Sequence, residues 1–490
     1  MKCANIMSAR PEKKAKTRAR LKGNILKQFK ASMPHMTLEH PAEPGWKDSF
    51  EEFLVAHPDL DTLEVVLPDT NGVLRGKWLP GAALPKVFEQ GVAFPYSLYG
   101  LDVWGREVED TGLHLETGDK DGVCWPIPET LKIVPWTERK TAQVLLSMYD
   151  RDGEPFGIEP RHVLQAMVNK LADRGLAATC AFELEFYLFE ESDGDWTEQP
   201  KPLFSTHLGP ARQNMYALSD LEALMPVVDD LRIACDIQGI PADAAVSEAA
   251  PGQFELNLHH RNNAVHAADD VVLLRRLVQG VARKHELKAS FMAKPYVEWP
   301  GNGMHVHVSM EDVSGNIFSC PDKGWERLGF AINGLLETMP EALLLFTSTF
   351  NGFRRMQPGS YAPTSLCWGF DNRSVALRVP ASSPDAARVE HRIAGADANP
   401  YLALTGILAG MLEGLNSETP PPPPVAGNAY EKKQKRLTPW MDEAIDAFEA
   451  SERMKEAVGP EMHKVLTEIK REELNEFGRE ISSLERQTYL

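Results

Sequence analysis

ATCAFELEFYLF, residues 178 to 189, alternates with the two-residue period of a β-strand. Phe182, Leu184, Phe186 and Leu188 fall on one face, and Glu183 and Glu185 on the other, roughly 7 Å apart along the strand. An antiparallel sheet that is wet on one side explains a single strand of this kind. The pattern returns, however. QFELNL (253–258) sets Gln253, Glu255 and Asn257 against Phe254, Leu256 and Leu258. GMHVHVSM (303–310) sets His305, His307 and Ser309 against Val306, Val308 and Met310. SVALRVP (374–380) places Arg378 between Leu377 and Val379, and in RVEHRI (388–393) Arg388, Glu390 and Arg392 share a side. Polar faces built from Glu, His, Arg and Ser, with almost no Lys or Thr, predict a sheet that forms the floor of a site.

Glutamates crowded on one face repel, and burying them unpaired raises their pKa or costs several kcal/mol. Divalent cations remove the conflict. Glu183, Glu185, Glu255, Glu390 and the nearby Glu248 (in SEAAPGQFE, 247–255), with His305, offer oxygen-rich ligation and one imidazole. That set suits Mg²⁺ or Mn²⁺ better than a structural zinc with its sulfur ligands. The arginines supply the other half. The stretch FNGFRRMQPGSYAPTSLCWGFDNRSVALRVP (350–380) has Asp371 as its one acid and carries Arg354, Arg355, Arg373 and Arg378; Arg388 and Arg392 follow. If metals occupy the glutamates, these guanidinium groups need another anion, and their planar forks fit phosphate and carboxylate. Metals with arginines point to phosphoryl transfer from a nucleotide, where positioning and charge neutralisation supply most of the catalysis. The sequence has no GxxxxGK[ST] loop and no strand followed by GxGxxG, so the nucleotide is expected to lie on the sheet.

At 490 residues the chain has room for two or three domains. Its 43% hydrophobic and 25% charged residues are the proportions of a soluble globular protein, and no stretch reaches the roughly 18 uninterrupted apolar residues of a spanning helix. A formal net charge of -18 disfavours nucleic acid as a partner. Six scattered cysteines, with no CxxC and no secretory leader, predict reduced thiols in a cytoplasmic protein. Residues 1–44 begin as a basic stretch and predict a disordered tail. Residues 45–150 predict a small strand-rich domain, with a short helix at SFEEFLVAHP (49–58) and a hairpin turning at Asn71-Gly72. Residues 151–490 predict a larger region opened by the helix EPRHVLQAMVNKLADRG (159–175). Five prolines at 420–424 interrupt it as an extended loop, and helices follow from residue 438.

The segments AFELEFYLF, SEAAPGQFELN, GNGMHVHVS, NGFRRMQPGSYAP, DNRSVALRVP and ARVEHRIAGADANPYLALTGILAG resemble, in order and spacing, the signatures of the glutamine synthetase superfamily. The resemblance runs from about residue 50 to the C-terminus. It implies an α+β fold: a small β-grasp-like N-terminal domain and a larger α/β catalytic domain with a curved antiparallel sheet. It also implies rings, a dodecamer of two hexamers, with sites between neighbouring subunits. By resemblance, Glu185, Glu248 and Glu255 hold one Mg²⁺ or Mn²⁺ and Glu183, His305 and Glu390 another, with roughly two or three ions per site. His307, Ser309, Arg378 and Arg388 fall where the family handles ATP phosphates. Gly301, Arg355, Arg373 and Arg392 fall where it holds glutamate and the transferred phosphoryl group, which makes Arg373, Arg355 and Glu390 the implied catalytic residues.

Ammonia-using members carry a glutamate in a PG-aromatic-E-AP flap and a DGSS stretch near the N-terminus. Here the flap reads PGSYAP, with Tyr361 in place of the acid, and the comparable N-terminal stretch is FPYSLYGLD (94–102). A second departure is Pro300 before Gly301. These changes resemble the glutamate-amine ligase branch, with putrescine or another polyamine as acceptor. Alkylamines, ethanolamine, anilines and ammonia itself are alternatives, and a catalytically silent relative is a remote one. Aromatic surface can hold a larger amine, partly by cation–π contact, which makes Tyr96, Tyr99, Trp104, Tyr361 and Trp368 candidate walls. Asp102, Glu107 and Glu109 are candidates for a distal ammonium.

Overall fold

Asn71 and Gly72 lie in the turn between the antiparallel strands Thr62–Pro68 and Leu74–Pro80. Gly72 sits at φ +75°, the left-handed region that glycine enters without a Cβ penalty. The computed structural model to which this turn belongs describes residues 41, 45–190, 203, 215–319 and 324–490. Apart from residue 41, the tail expected over 1–44 lies outside the described residues, as do Cys3 and Cys320. Asp69 fixes the turn: its Oδ1 accepts from the backbone N–H of Asn71 and of Val73, each at 2.9 Å, while Oδ2 pairs with Arg75.

Two sheets organise the described residues. The first has six strands, in the order Leu74–Pro80, Thr62–Pro68, Thr141–Tyr149, Asp121–Pro126 and Val92–Pro95, with Lys132–Ile133 also beside Thr141–Tyr149. Thr62–Pro68 and Thr141–Tyr149 run parallel, and the other pairs are antiparallel. The second sheet has nine strands, and Ala177–Glu190 is its 14-residue central member. To one side lie Met304–Asp312, Val389–His391, Leu377–Val379 and Trp368–Phe370; to the other lie Gln253–Leu258 and Ala242–Ser247. All of these pairs are antiparallel except Trp368–Phe370 with Leu377–Val379. The alternating segments therefore meet in one sheet, as their period predicts.

The apolar face of the central strand is covered. Phe182, Leu184, Phe186 and Leu188 are all buried, and the helix Ala264–Lys284 packs on that strand, its N-terminus capped by Asn263. Behind them Gly324–Phe346 packs along Pro400–Ser417. Gly324–Phe346 is long and apolar enough to cross a membrane by length and composition, but most of it is buried inside the protein. The two helices approach through glycines: a Cβ on Gly334 would lie 2.2 Å from the carbonyl oxygen of Gly410. Asn399 caps Pro400–Ser417 through Tyr401 N–H, and its Nδ2 donates to the carbonyls of Asp69 and Thr70 at 3.1 and 3.2 Å. One side chain thus ties the turn of the first sheet to the start of the helix Pro400–Ser417.

The C-terminal helical run is divided into Met441–Glu449, Glu452–Val458, Pro460–Arg479 and Ser483–Tyr489. Ser451 starts the second piece by accepting from Met454 N–H, and Gly459 at φ +85° before Pro460 ends it. The proline run at 420–424 has no regular structure, and Trp368 Nε1 donates to the Pro422 carbonyl at 2.7 Å.

Backbone contact at Gly334 cannot be relieved by a rotamer change, so Gly334→Ala is expected to cost about 1–3 kcal/mol of stability through overpacking, and so to lower Tm, despite the better helix propensity of alanine. Gly478, with open space where its Cβ would be, is the control. Gly478→Ala should leave Tm unchanged or raise it, as read by differential scanning calorimetry.

Candidate active site

Strand register assembles the polar face. On the central strand Glu183 lies directly opposite His305 on one neighbour and Asn257 on the other, and Glu185 opposite Glu255. His307 and Arg378 both lie opposite Glu390. Directly opposed residues have Cβ atoms roughly 5 Å apart, so these side chains are in reach of one another.

Glu183 is the centre of the group. Its Oε1 lies 2.9 Å from His307 Nε2, and its Oε2 lies 3.2 Å from His305 Nδ1. Arg388 Nε donates to His307 Nδ1 at 3.2 Å. A guanidinium can only donate, so Nδ1 accepts and Nε2–H is left to donate to Glu183. Glu185 is held apart: its Oε2 accepts from Gly303 N–H at 2.6 Å. Glu390 is 0% exposed, and both Arg378, at 2.7 Å, and Arg392 pair with it.

The face is electrostatically loaded. Burial, reinforced by the neighbouring carboxylates of Glu185, Glu183 and Glu248, pushes Glu255 up to about 9. Burial and the charge of Glu248 push Glu185 up to about 7, and burial also raises Glu248. Partial burial works to raise Glu183 as well, yet hydrogen bonds from His305 and His307 hold its carboxyl below the ordinary range. Burial, with Arg392 nearby, pushes His305 down to about 4, so at neutral pH it keeps a lone pair to offer.

These groups surround a cavity of about 340 Å³. Glu183, Glu185, Glu248, Glu255, His305 and Glu390 line it, together with Gly301, Arg355, Tyr361, Arg373, Arg378 and Arg392. His307, Ser309 and Arg388 do not. His307 and Arg388 stand behind Glu183 as its support, and Ser309 lies two residues further along the strand, opposite Thr179. Gly301 and Gly303 make room for Arg355: a Cβ on Gly301 would meet its Cγ at 2.8 Å, and one on Gly303 its Nη2 at 2.6 Å. Arg355 is buried, and Nη1 donates to the Ile393 carbonyl at 2.8 Å.

Ligand atoms within 4.8 Å of one another occur in two groups, Glu183 with Glu255 and His305, and Glu183 with His307 and Glu390. The partition therefore differs from the expected sets of Glu185, Glu248, Glu255 and Glu183, His305, Glu390. Glu183 is drawn between two imidazoles while Glu185 is taken up by Gly303 N–H, so Glu183 is shared and His307 enters a group. Oxygen-rich sets with one imidazole each suit a hard divalent cation. Orphaned atoms fit the same reading: the acceptors Gln253 Oε1 and Asn257 Oδ1 and the donors Arg378 Nε and Arg392 Nε are buried with no hydrogen-bond partner among the described residues. Acceptors without donors suit a cation, and donors without acceptors suit an anion.

Some sequence expectations are corrected. The arginines are not all left for another anion, because Arg378 and Arg392 pair with Glu390, which at full burial needs opposite charge beside it. Arg354 is exposed over the Phe350 ring. Among the proposed aromatic walls Tyr361 alone lines the cavity. Tyr99 is fully buried, Tyr96 stacks on Phe156, Trp104 packs on Phe477, and Trp368 is buried at the proline run. Asp102 is buried and paired with Arg106; Glu107 and Glu109 lie outside the cavity lining. Conversely, Met215, Tyr216 and Ser360 line the cavity without any periodic signal in the sequence, and Arg373 Nη1 donates to Tyr216 Oη at 3.4 Å.

Comparison with known proteins identifies the family. Residues 157–489 match the catalytic domain of glutamine synthetase. The γ-glutamylputrescine synthetase PuuA of Escherichia coli K12 is 38% identical over 438 residues, covering 89% of this chain and 93% of that protein. A glutamate–isopropylamine ligase of a Pseudomonas species is 32% identical over 417 residues, covering 82% and 88%. Among solved structures, that of GmaS in complex with ADP superposes with a TM-score of 0.78 at 24% identity, covering 89% of this chain and 98% of that one, which shows the fold. This chain belongs to the glutamine synthetase family.

Proposed function

We propose that this protein is an ATP-dependent ligase that joins the γ-carboxylate of L-glutamate to a primary amine, putrescine or another polyamine by preference, giving a γ-glutamyl amide, ADP and phosphate. The observation that carries the reading is one cavity in which carboxylates and an imidazole face arginines across the space of a small ligand. Tyr361 in its wall, where ammonia-using relatives carry an acid, and the amine ligases among the relatives favour an organic amine.

A carboxylate does not condense with an amine at neutral pH, because oxide is a poor leaving group. In the proposed reaction an oxygen of the γ-carboxylate bonds to the γ-phosphorus of ATP as the bond to ADP breaks, giving γ-glutamyl phosphate. The neutral amine then attacks the acyl carbon, phosphate leaves, and the amine nitrogen gives up a proton. Glu183, Glu185, Glu248, Glu255, His305 and Glu390, with His307, are the residues that would hold Mg²⁺ or Mn²⁺, which neutralises the approaching anions. Arg355 and Arg392 would hold the carboxylates of glutamate beside Gly301, Arg373 and Arg355 would meet the transferred phosphoryl group, and Arg378 would meet the nucleotide phosphates; His307 and Arg388 act from behind by holding Glu183, and Ser309 stays outside the cavity lining. Arg355 suits this role because it is fixed by the Ile393 carbonyl before any ligand arrives.

The reading includes ring assembly with sites between subunits. The edge strand Leu74–Pro80, which leaves Trp78 80% exposed, is the kind of surface that assembly covers. It also keeps a division near residue 150, since each sheet lies wholly on one side of it, and a reducing compartment, since Cys124, Cys180, Cys235 and Cys367 are free and buried.

With ATP, glutamate and Mg²⁺, ADP release is expected to be faster with putrescine than with ammonia; a panel in which ammonia outperforms every organic amine overturns the acceptor assignment. Chelation of Mg²⁺ should abolish turnover, and Glu255→Gln should lower kcat at least about 100-fold, as loss of about 2.7 kcal/mol of transition-state stabilisation. Stability should follow the carboxyls. Glu185 and Glu255 titrate above the ordinary value of 4.5, so without metal the stability they contribute is lost as pH rises through about 7 and about 9. A divalent ion offsets that loss, so the Tm gain from Mn²⁺ should be larger at pH 8.5 than at pH 6, by thermal shift in matched buffers.

A further inference from the structure

A second cavity, of about 670 Å³, lies immediately outside the first and shares Tyr361 and Arg373 with it as a common wall. Its other walls include Gly359, Phe370, Asp371 and Tyr430. The flap that separates the two is fixed rather than loose. Gly359 and Tyr361 are both left-handed, at φ +81° and +56°, and for tyrosine that conformation costs about 1–2 kcal/mol. Ser360 Oγ donates to the Gln357 carbonyl at 2.6 Å, and Tyr430 Oη donates to the Ala362 carbonyl at 2.9 Å, on either side of Tyr361. Strain held in place by its surroundings is a mark of a functional position.

The outer cavity has its own chemistry. Phe370 is 52% exposed and Tyr361 62%, so aromatic surface faces solvent there. Phe370 is braced edge-on by Trp368 and Trp325, at centroid distances of 5.1 and 5.8 Å. Asp371 puts a carboxylate beside these rings. Its Oδ1 accepts from Arg378 Nη2 at 2.5 Å, and the Nη1 of the same guanidinium reaches Glu390 in the inner cavity. Arg378 therefore stands between one acid inside and one acid outside.

We infer that this outer pocket is the subsite for the distal, charged end of a diamine acceptor, with the reactive end directed past Tyr361 into the inner cavity. The inference rests on the proposed ligase reading and deepens it. The inner cavity, about 340 Å³, is of the size that one small ligand fills, and the chain of a longer acceptor has to leave it by a wall. An amine attacks only when neutral, but the other end of a diamine remains an ammonium in neutral water. An acid among aromatic faces is the environment that recognises such a group, through charge and cation–π attraction, while the rings cover the methylene chain. The acids expected from the sequence for this task, Asp102, Glu107 and Glu109, lie outside both cavity linings of this chain, whereas Asp371 lies in the outer one.

The test compares putrescine, n-butylamine and hydroxylamine as acceptors, with saturating ATP, glutamate and Mg²⁺, for the wild-type protein, Asp371→Asn and Phe370→Ala. Asparagine keeps a carbonyl oxygen for Arg378 while removing the charge. Asp371→Asn is expected to raise KM for putrescine about tenfold and to move KM for n-butylamine by about twofold or less. Phe370→Ala should raise KM for both four-carbon amines and leave that for hydroxylamine in place. The subsite is overturned if Asp371→Asn shifts all acceptors together, which would place its effect in Arg378, or if it shifts none. Hydroxylamine separates the two levels: its turnover with no diamine-specific loss removes the subsite alone, whereas no turnover with any acceptor removes the ligase reading and the subsite with it.

Discussion

The structure depends on one conflict of charge: several carboxylates share one buried face of one sheet. At an effective dielectric constant of about 20, two unit charges 4 Å apart interact with about 4 kcal/mol, so such a face cannot simply be left ionised. Part of the answer lies within the chain. Glu390 lies between Arg378 and Arg392, Glu183 between two imidazoles, and Glu185 against a backbone N–H. That relief is incomplete: Glu255, Glu185 and Glu248 are still raised by burial. The remaining demand for positive charge is what gives the cavity its chemistry.

Rigid support makes that demand specific. The central strand carries its apolar residues into a helix-covered core, which fixes which way the glutamates face. Glycines at 301 and 303 let Arg355 lie against the strand edge, and Asn399 ties the turn of the first sheet to the helix beside the second. Donors for an anion and acceptors for a cation are thus preorganised, which is how a protein contributes to phosphoryl transfer.

Much of this was legible in the sequence because the strand period assigns each residue to a face independently of distant contacts. Glu183 and Glu185 had to lie opposite Phe182 and Leu184, and the same logic held for Glu255, His305 and Arg378. What the period does not encode is register and side-chain direction. That His307 stands opposite Glu390, and that Glu183 turns to both histidines, are products of pairing between strands far apart in the chain. Hence the division into metal sets differed. Aromatic residues outside the alternating strands carried no signal: Tyr99, in a short 3-10 turn, and Trp368, in a three-residue strand, went into the core, while Tyr216 reached the cavity from an irregular segment. Composition says that a ring is present, not which side of the backbone it will fill.

The central claim is that this carboxylate face binds divalent cations, and titration of Mn²⁺ followed by the electron paramagnetic resonance of the free ion at pH 8 tests it most directly. The account predicts that the wild-type protein depletes the free-ion signal at micromolar Mn²⁺, that Glu255→Gln and His305→Ala weaken this, and that substitution of Glu476, a half-buried acid paired with Arg106 outside the cavity lining, does not. Depletion that is absent, or that survives both substitutions unchanged, would contradict it.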